Sequence, residues 1–227
     1  MKNYQEKRRE LVEKLVREGT LRTREVIKAF LKVPREEFVL PEYRKAAYED
    51  HPLPILKGQT ISAPHMCAIM CEVLKIEKGD KILEIGTGSG YHAALCAEIT
   101  SPTDKPTDGY VISVEYFPEV AEFAKKNLEK TGYGDRVHVI VYDGSRGAPT
   151  TKKFDRILVT AAASRIPPSL LELLKERGRL VMPVGSSFYQ TLTLIEKDER
   201  GNIRKFGISG CIFVPLLGKY GYRENSI

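Results

Sequence analysis

The chain has 227 residues, 42% of them hydrophobic and 29% charged, which suffices for a buried core without disulfide or metal staples and excludes a disordered chain or a coiled coil. No apolar run approaches the ~20 residues that cross a bilayer, and the charged opening Met1–Arg8 lacks the apolar segment of a secretory signal, so a soluble cytoplasmic protein is expected. The net charge of +6 resides in residues 1–35, with eleven Lys/Arg against five Glu, because the remaining 192 residues carry 25 of each sign.

Residues Tyr4 to Glu18 predict a first helix, with Leu11, Leu15 and Glu18 on one stripe, and Thr23 to Leu31 a second that Thr23 caps. A basic helical start is either a nucleic-acid footprint or a solvated face. The spread of cations along a groove with interleaved aromatics, usual in nucleic-acid readers, is missing, so no nucleic-acid partner is expected. Pro34, Pro41, Pro52 and Pro54 break the next stretch into short helices and loops. A further helix starts at Pro64 and runs through Leu74.

From Lys81 onward strands and helices alternate. Strands are predicted at 81–85, 110–115, 137–142, 155–160 and 179–184, and helices at 91–99, 118–131 and 167–174. Short apolar strands separated by helices define a parallel sheet covered on both faces, the α/β doubly wound class. Thr191–Glu196 and Ile203–Leu216 then read as two strands joined through the turn at Asp198–Asn202, adding an antiparallel pair at one edge. The expected organisation is a single domain, 1–227, with an N-terminal helical elaboration over residues 1–78 and the sheet over 79–227.

Cys67, Cys71, Cys96 and Cys211 include no C-x-x-C and no His/Cys pair at zinc-finger spacing, so buried free thiols and no metal are expected. The most specific segment is Glu84-Ile85-Gly86-Thr87-Gly88-Ser89-Gly90-Tyr91, a glycine turn between strand and helix that lets a ligand approach backbone N–H groups. Its third glycine comes one residue too early for the dinucleotide fingerprint, and no Gly-Lys-Ser/Thr is present for a P-loop. Glu115 closes the next strand, where an acid can accept from both ribose hydroxyls; the 101–109 loop accounts for a spacing longer than the usual ~20 residues. Asp143-Gly144 closes the third strand and reads either as a common turn dipeptide or as a contact for an adenine. Three such strand ends on one edge point to a shared nucleoside site.

These motifs resemble those of Rossmann-like, S-adenosylmethionine-dependent methyltransferases. Gly58-Gln59-Thr60-Ile61-Ser62-Ala63-Pro64-His65-Met66, together with Phe213-Val214-Pro215-Leu216, is similar in particular to the protein-L-isoaspartate (D-aspartate) O-methyltransferase family. The resemblance implies methyl transfer from S-adenosyl-L-methionine to the free carboxylate of L-isoaspartyl residues in damaged proteins, initiating repair through a succinimide. It implies Ser62 as the catalytic residue beside the reactive methyl, where its residue type alone would read as a helix-start hydroxyl. It also implies Ser62, Ala63, Phe213 and Val214 as substrate contacts. The cofactor would be held by Thr60, His65, Glu84, Gly86, Thr87, Gly88, Ser89, Gly90, Glu115, Tyr116, Asp143, Gly144 and Thr160. Isoaspartyl-containing proteins and peptides are the implied partners, the protein is expected to be a monomer, and an extended strand at Cys211–Val214 is expected to pair with the substrate main chain. A carboxylate acceptor is already ionised at neutral pH, so no general base and no His/Asp pair are required. A nucleic-acid methyltransferase on the same fold is the chief competitor, but Thr160-Ala161-Ala162-Ala163 stands where amino-methylating families carry Asn/Asp-Pro-Pro-Tyr/Phe.

Overall fold

The computed structural model describes residues 3–222. Helix α1 (Tyr4–Arg17) starts at a capping box in which the Asn3 side chain accepts from the Glu6 N–H and the Glu6 carboxylate accepts from the Asn3 N–H. Its stripe buries Leu11, Val12 and Leu15. Helix α2 (Arg24–Lys32) follows, with Thr23 at its N-cap but without a side-chain cap. Instead one Glu72 oxygen accepts from the Arg22 N–H at 2.7 Å, the Thr23 N–H at 2.9 Å and the Thr23 hydroxyl at 3.3 Å. A carboxylate from another helix thus anchors the entry to α2, and the Thr23 hydroxyl donates to it instead of accepting from the first helical turn.

Short 3-10 turns at Arg35–Glu37, Pro41–Ala46 and Leu56–Gly58 carry the proline-rich stretch, which includes a small antiparallel pair, β1 (Leu53–Pro54) with β2 (Thr60–Ile61). Helix α3 (Pro64–Leu74) opens on its proline. The main body then runs β3 (Lys81–Ile85), α4 (Tyr91–Thr100), β4 (Tyr110–Glu115), α5 (Pro118–Lys130), β5 (Val137–Val141), a 3-10 turn at Gly144–Arg146, β6 (Phe154–Val159), α6 (Pro168–Leu173), β7 (Leu174–Gly185), β8 (Gln190–Lys197) and β9 (Ile203–Cys211). All ten residues of α4 are buried, which its run of small and apolar side chains permits.

Seven strands form one sheet in the order β5-β4-β3-β6-β7-β8-β9, parallel from β5 to β7 and antiparallel from β7 to β9. Strand order reverses on either side of β3, and in open α/β sheets ligands bind outside the carboxyl ends of the strands at that point. One buried cluster runs from Leu11 and Phe30 of the helical elaboration to Ile82 and Leu158 of the sheet. A second lies on the opposite face around Phe154, Ile157 and Leu180.

Two boundaries differ from expectation. Strand β7 begins at Leu174 instead of Arg179, because Lys175–Gly178 bulge outward between the Phe154–Leu174 and Arg156–Arg179 pairings, with Arg177 at a φ of 63°. Strand β9 stops at Cys211, short of Leu216. The Phe213 N–H leaves the ladder to donate to the Gln190 side chain at 2.8 Å, and Ala162 then holds both Val214 and Leu216 through its own N–H and carbonyl.

Several of the N-terminal cations are engaged by acids and hydroxyls elsewhere in the fold. Arg8 donates to Glu36 and Tyr48, Lys14 faces Asp50, and Lys32 faces the buried Glu98. All four cysteines are free and buried. Among the described residues no helix is long and apolar enough to cross a membrane.

Candidate active site

A cavity of about 810 Å³ opens at the carboxyl ends of β3, β4 and β6, floored by the glycine turn and closed by Thr60–Met66 on one side and Cys211–Leu217 on the other. The glycines are there for geometry. Gly86 has a φ of +93°, and a Cβ on it would stand 2.5 Å from the Thr160 hydroxyl, which donates to the Gly86 carbonyl at 2.6 Å. Gly144 is held bare by Ile85, whose methyl would lie 2.5 Å from a Cβ. Backbone therefore lines the cavity where a nucleoside would need close approach.

Glu115 stands at the tip of β4. One carboxylate oxygen accepts from the Gly88 N–H at 3.0 Å, and the other accepts from the Tyr116 and Phe117 N–H groups at 2.9 and 3.1 Å. Burial nonetheless raises its pKa above the ordinary carboxylate value, against the lowering effect of those donors. The loop fixes the carboxylate facing the cavity, ready to accept from further hydroxyls.

Glu84 has a different position. It is completely buried beneath the turn rather than on the cavity wall, and the Ser113 hydroxyl bridges its carboxyl group to the Thr87 hydroxyl. Burial, with the Glu115 charge nearby, pushes its pKa up to about 8. Its second oxygen has no hydrogen-bond partner among the described residues.

Ser62 lines the cavity and does not cap α3; the N-cap position belongs to Ala63. Its hydroxyl makes no hydrogen bond to the described residues, whereas its carbonyl accepts from Arg35 at 2.8 Å. His65 also lines the cavity, and both its N–H and its ring Nδ1 lie 2.9 Å from one oxygen of Asp50. Burial alone would raise the Asp50 pKa, but the His65 hydrogen bonds and the charges of His65 and Lys14 hold it below its ordinary value. A His/Asp pair thus exists where none was expected, because Asp50 lies in the proline-rich stretch that offers no sequence signal for it.

The structure gathers Thr60, Ser62, Ala63, His65, Gly86, Thr87, Gly88, Ser89, Glu115, Tyr116, Gly144, Thr160, Phe213 and Val214 around this one cavity. Gly90 and Asp143, like Glu84, stand off its wall. Gly90, at a φ of +86°, lets α4 pack against Leu128 of α5. The Asp143 carboxylate accepts from the Ser145 N–H and hydroxyl and from the Lys219 N–H at 2.9 Å, so it holds the C-terminal segment down. Sequence reasoning missed Phe117, Tyr189 and Ile212 as further wall residues. It also missed the approach of Cys71, His92 and Cys96, whose ligating atoms lie within 4.8 Å of one another. The Cys71 thiol stands 3.4 Å from His92 Nε2; burial holds His92 neutral, with a pKa of about 3, and the hydrogen bond with Cys96, followed by burial, drives the Cys71 thiol well above its ordinary value. That state is a neutral thiol–imidazole packing contact.

A doubly wound sheet with a glycine turn, a backbone-anchored strand-end carboxylate and an adjoining apolar cavity defines a Rossmann-like nucleoside-binding fold. The model of the protein-L-isoaspartate(D-aspartate) O-methyltransferase family matches residues 6–221, and the chain belongs to that family. It is 53% identical to the protein-L-isoaspartate O-methyltransferase of Hyperthermus butylicus over 97% of this chain and 92% of that protein. The enzyme of Methanopyrus kandleri is 52% identical over 98% of this chain and 96% of its own length. Among solved structures, a Plasmodium falciparum chain described as a protein-L-isoaspartate O-methyltransferase in complex with S-adenosyl-L-homocysteine superposes with a TM-score of 0.83 at 27% identity, covering 96% of this chain and 99% of that one.

Proposed function

We propose that the chain methylates the free α-carboxylate of L-isoaspartyl residues in proteins and peptides, with Ser62 as the group that orients the acceptor. The observation that carries this assignment is one cavity joining a nucleoside-type strand edge to the Ser62 hydroxyl, which has no partner among the described residues. The wall suits the cofactor, because the bare backbone of Gly86, Gly88 and Gly144 lines the cavity and Glu115 stands on the same wall. Thr60, His65, Gly86–Ser89, Glu115, Tyr116, Gly144 and Thr160 would hold it. S-adenosyl-L-methionine supplies an electrophilic methyl on a sulfonium when bound.

The acceptor needs no proton removed. The carboxylate oxygen is itself the nucleophile, and the bound cofactor would supply the methyl carbon and take back the carbon–sulfur electron pair, so opposite charges would cancel. Ser62 donates to the acceptor carboxylate and aligns it, and alignment of two reactants is worth up to ~7–11 kcal/mol of barrier. Ile61, Phe213 and Val214 exclude water that would otherwise stabilise the charged ground state. Asp50 orients His65 as a wall group, not as a base. The substrate main chain passes along the Cys211–Val214 segment, where Ile212 has left the strand and is exposed. The chain works as one monomeric, cytoplasmic domain in which residues 1–78 cap the substrate side of the 79–227 sheet.

The test offers matched isoaspartyl and aspartyl peptides, plus RNA, with methyl-labelled cofactor. Base-labile label on the isoaspartyl peptide alone is expected; stable label on RNA would overturn the assignment.

A further inference from the structure

Among the described residues Arg35 is the largest side chain with no solvent exposure. Its Nε donates to the Ala47 carbonyl at 2.8 Å and one terminal nitrogen to the Ser62 carbonyl at 2.8 Å. The guanidinium sits 4.9 Å from the centre of the Tyr91 ring. Its other terminal nitrogen is buried with no hydrogen-bond partner among the described residues. No described carboxylate pairs with it, although Glu36 is its chain neighbour, because Glu36 is turned toward Arg8 and Tyr48.

An unpaired buried cation is costly, and tethering two carbonyls requires only a neutral donor. The charge therefore calls for a separate explanation. It reaches the cavity wall: after burial itself, the positive charge of Arg35 is the next influence opposing protonation of His92, which lines the cavity. The residue that Arg35 grips, Ser62, is the one placed to meet the acceptor.

We propose that Arg35 is a positioning residue for methyl transfer, fixing the Ser62 peptide group and serving as the counter-charge that makes the site select an anionic acceptor. The inference rests on the reading of Ser62 given above. A carboxylate entering the cavity supplies the negative charge that the fold withholds from Arg35. Methylation converts that carboxylate into a neutral ester, the counter-charge disappears, and the product is held less tightly than the substrate.

The experiment measures binding of an isoaspartyl peptide and of its α-carboxamide twin to the protein saturated with S-adenosyl-L-homocysteine. The wild-type protein should prefer the carboxylate by about tenfold or more, the scale set by a charge at short range in a partly shielded site. That preference should survive 0.5 M salt, since only exposed charges are screened at that range. Arg35→Met should lose about tenfold of the preference while S-adenosyl-L-homocysteine affinity stays within about twofold. Arg35→Lys should retain the preference, because the charge remains, yet lower kcat about tenfold through loss of the two-carbonyl fork. An unchanged preference in folded Arg35→Met would overturn the proposal. If that variant does not fold, collapse of the wild-type preference in salt, or its loss in Arg35→Lys, would do so. Absence of base-labile ester on the isoaspartyl peptide with the wild-type protein would instead overturn the underlying assignment.

Discussion

Glu84→Gln tests the buried network beneath the glycine turn without altering its shape. Folded, the carboxyl titrates near 8; unfolded, it returns to about 4.5. Between those values the folded state holds a proton that the unfolded state has released, so stability falls as pH rises. The contribution is present in full below about 4.5 and is lost through the window up to about 8. At about 1.4 kcal/mol per pH unit, the loss reaches at most roughly 5 kcal/mol. Glutamine cannot ionise, but its amide brings N–H donors to a place where the Glu84 oxygen already lacks a partner, an expected cost of about 1–3 kcal/mol. Denaturant unfolding from pH 5 to 9 should therefore show curves that cross, with the wild type more stable at pH 5 and the variant more stable at pH 8.5. His92 slopes the opposite way, because burial keeps it neutral when folded and it gains a proton on unfolding at low pH, but it contributes equally to both curves. Parallel curves would refute the reasoning, since they would mean that Glu84 ionises with the same pKa folded and unfolded.

Ser62→Ala should lower kcat about 10- to 1000-fold with cofactor affinity and melting temperature nearly unchanged, because the hydroxyl neither caps α3 nor bonds elsewhere in the described structure; a drop in melting temperature with normal turnover would return Ser62 to a structural role. Glu115→Ala should weaken cofactor binding tenfold or more, given about 1.5–3 kcal/mol for each hydrogen bond to a charged acceptor; calorimetry finding unaltered affinity would mean that the ribose lies elsewhere. His65→Gln should leave kcat at saturating peptide within a few-fold, because the backbone N–H bond to Asp50 persists and no base is required. Abolished turnover in that variant would place Asp50 and His65 in the proton chemistry and remove the mechanism proposed here.

The parallel sheet was legible because each of its strands is an apolar run bounded by turn residues, and β3 through β6 fall within a residue or so of the expected limits. The glycine turn and Glu115 were legible for a chemical reason: backbone lining and a strand-end acid leave marks in the residue types themselves. What escaped was set by contacts distant in sequence. Nothing near Asp50 announces its hydrogen bonds with His65, 15 residues away. Glu72, 49 residues downstream, takes the Thr23 hydroxyl as a donor and so draws it away from capping α2. Glu84 reads as a strand-end acid on a motif, and only the packing of Ser113 and Thr87 around it shows that it is interior. The end of β9 was misjudged because Gln190 draws the chain out of the ladder, and nothing near Asp143 announces that the Lys219 N–H, 76 residues away, donates to it.

Strand β9 leaves one edge of the seven-stranded sheet open, and Phe206 and Ile208 on it are exposed. An enzyme whose clients are damaged chains meets partly unfolded polypeptide throughout its working life, and an open edge is a template on which such chains assemble into aggregates. Here Arg204 and Lys205 put positive charge on the edge, Gly207 and Gly210 weaken its β-propensity, and the register slips between Leu192 and Thr193 beside it. The open edge is therefore poorly suited to nucleating the growth of a shared sheet with the extended chains it meets.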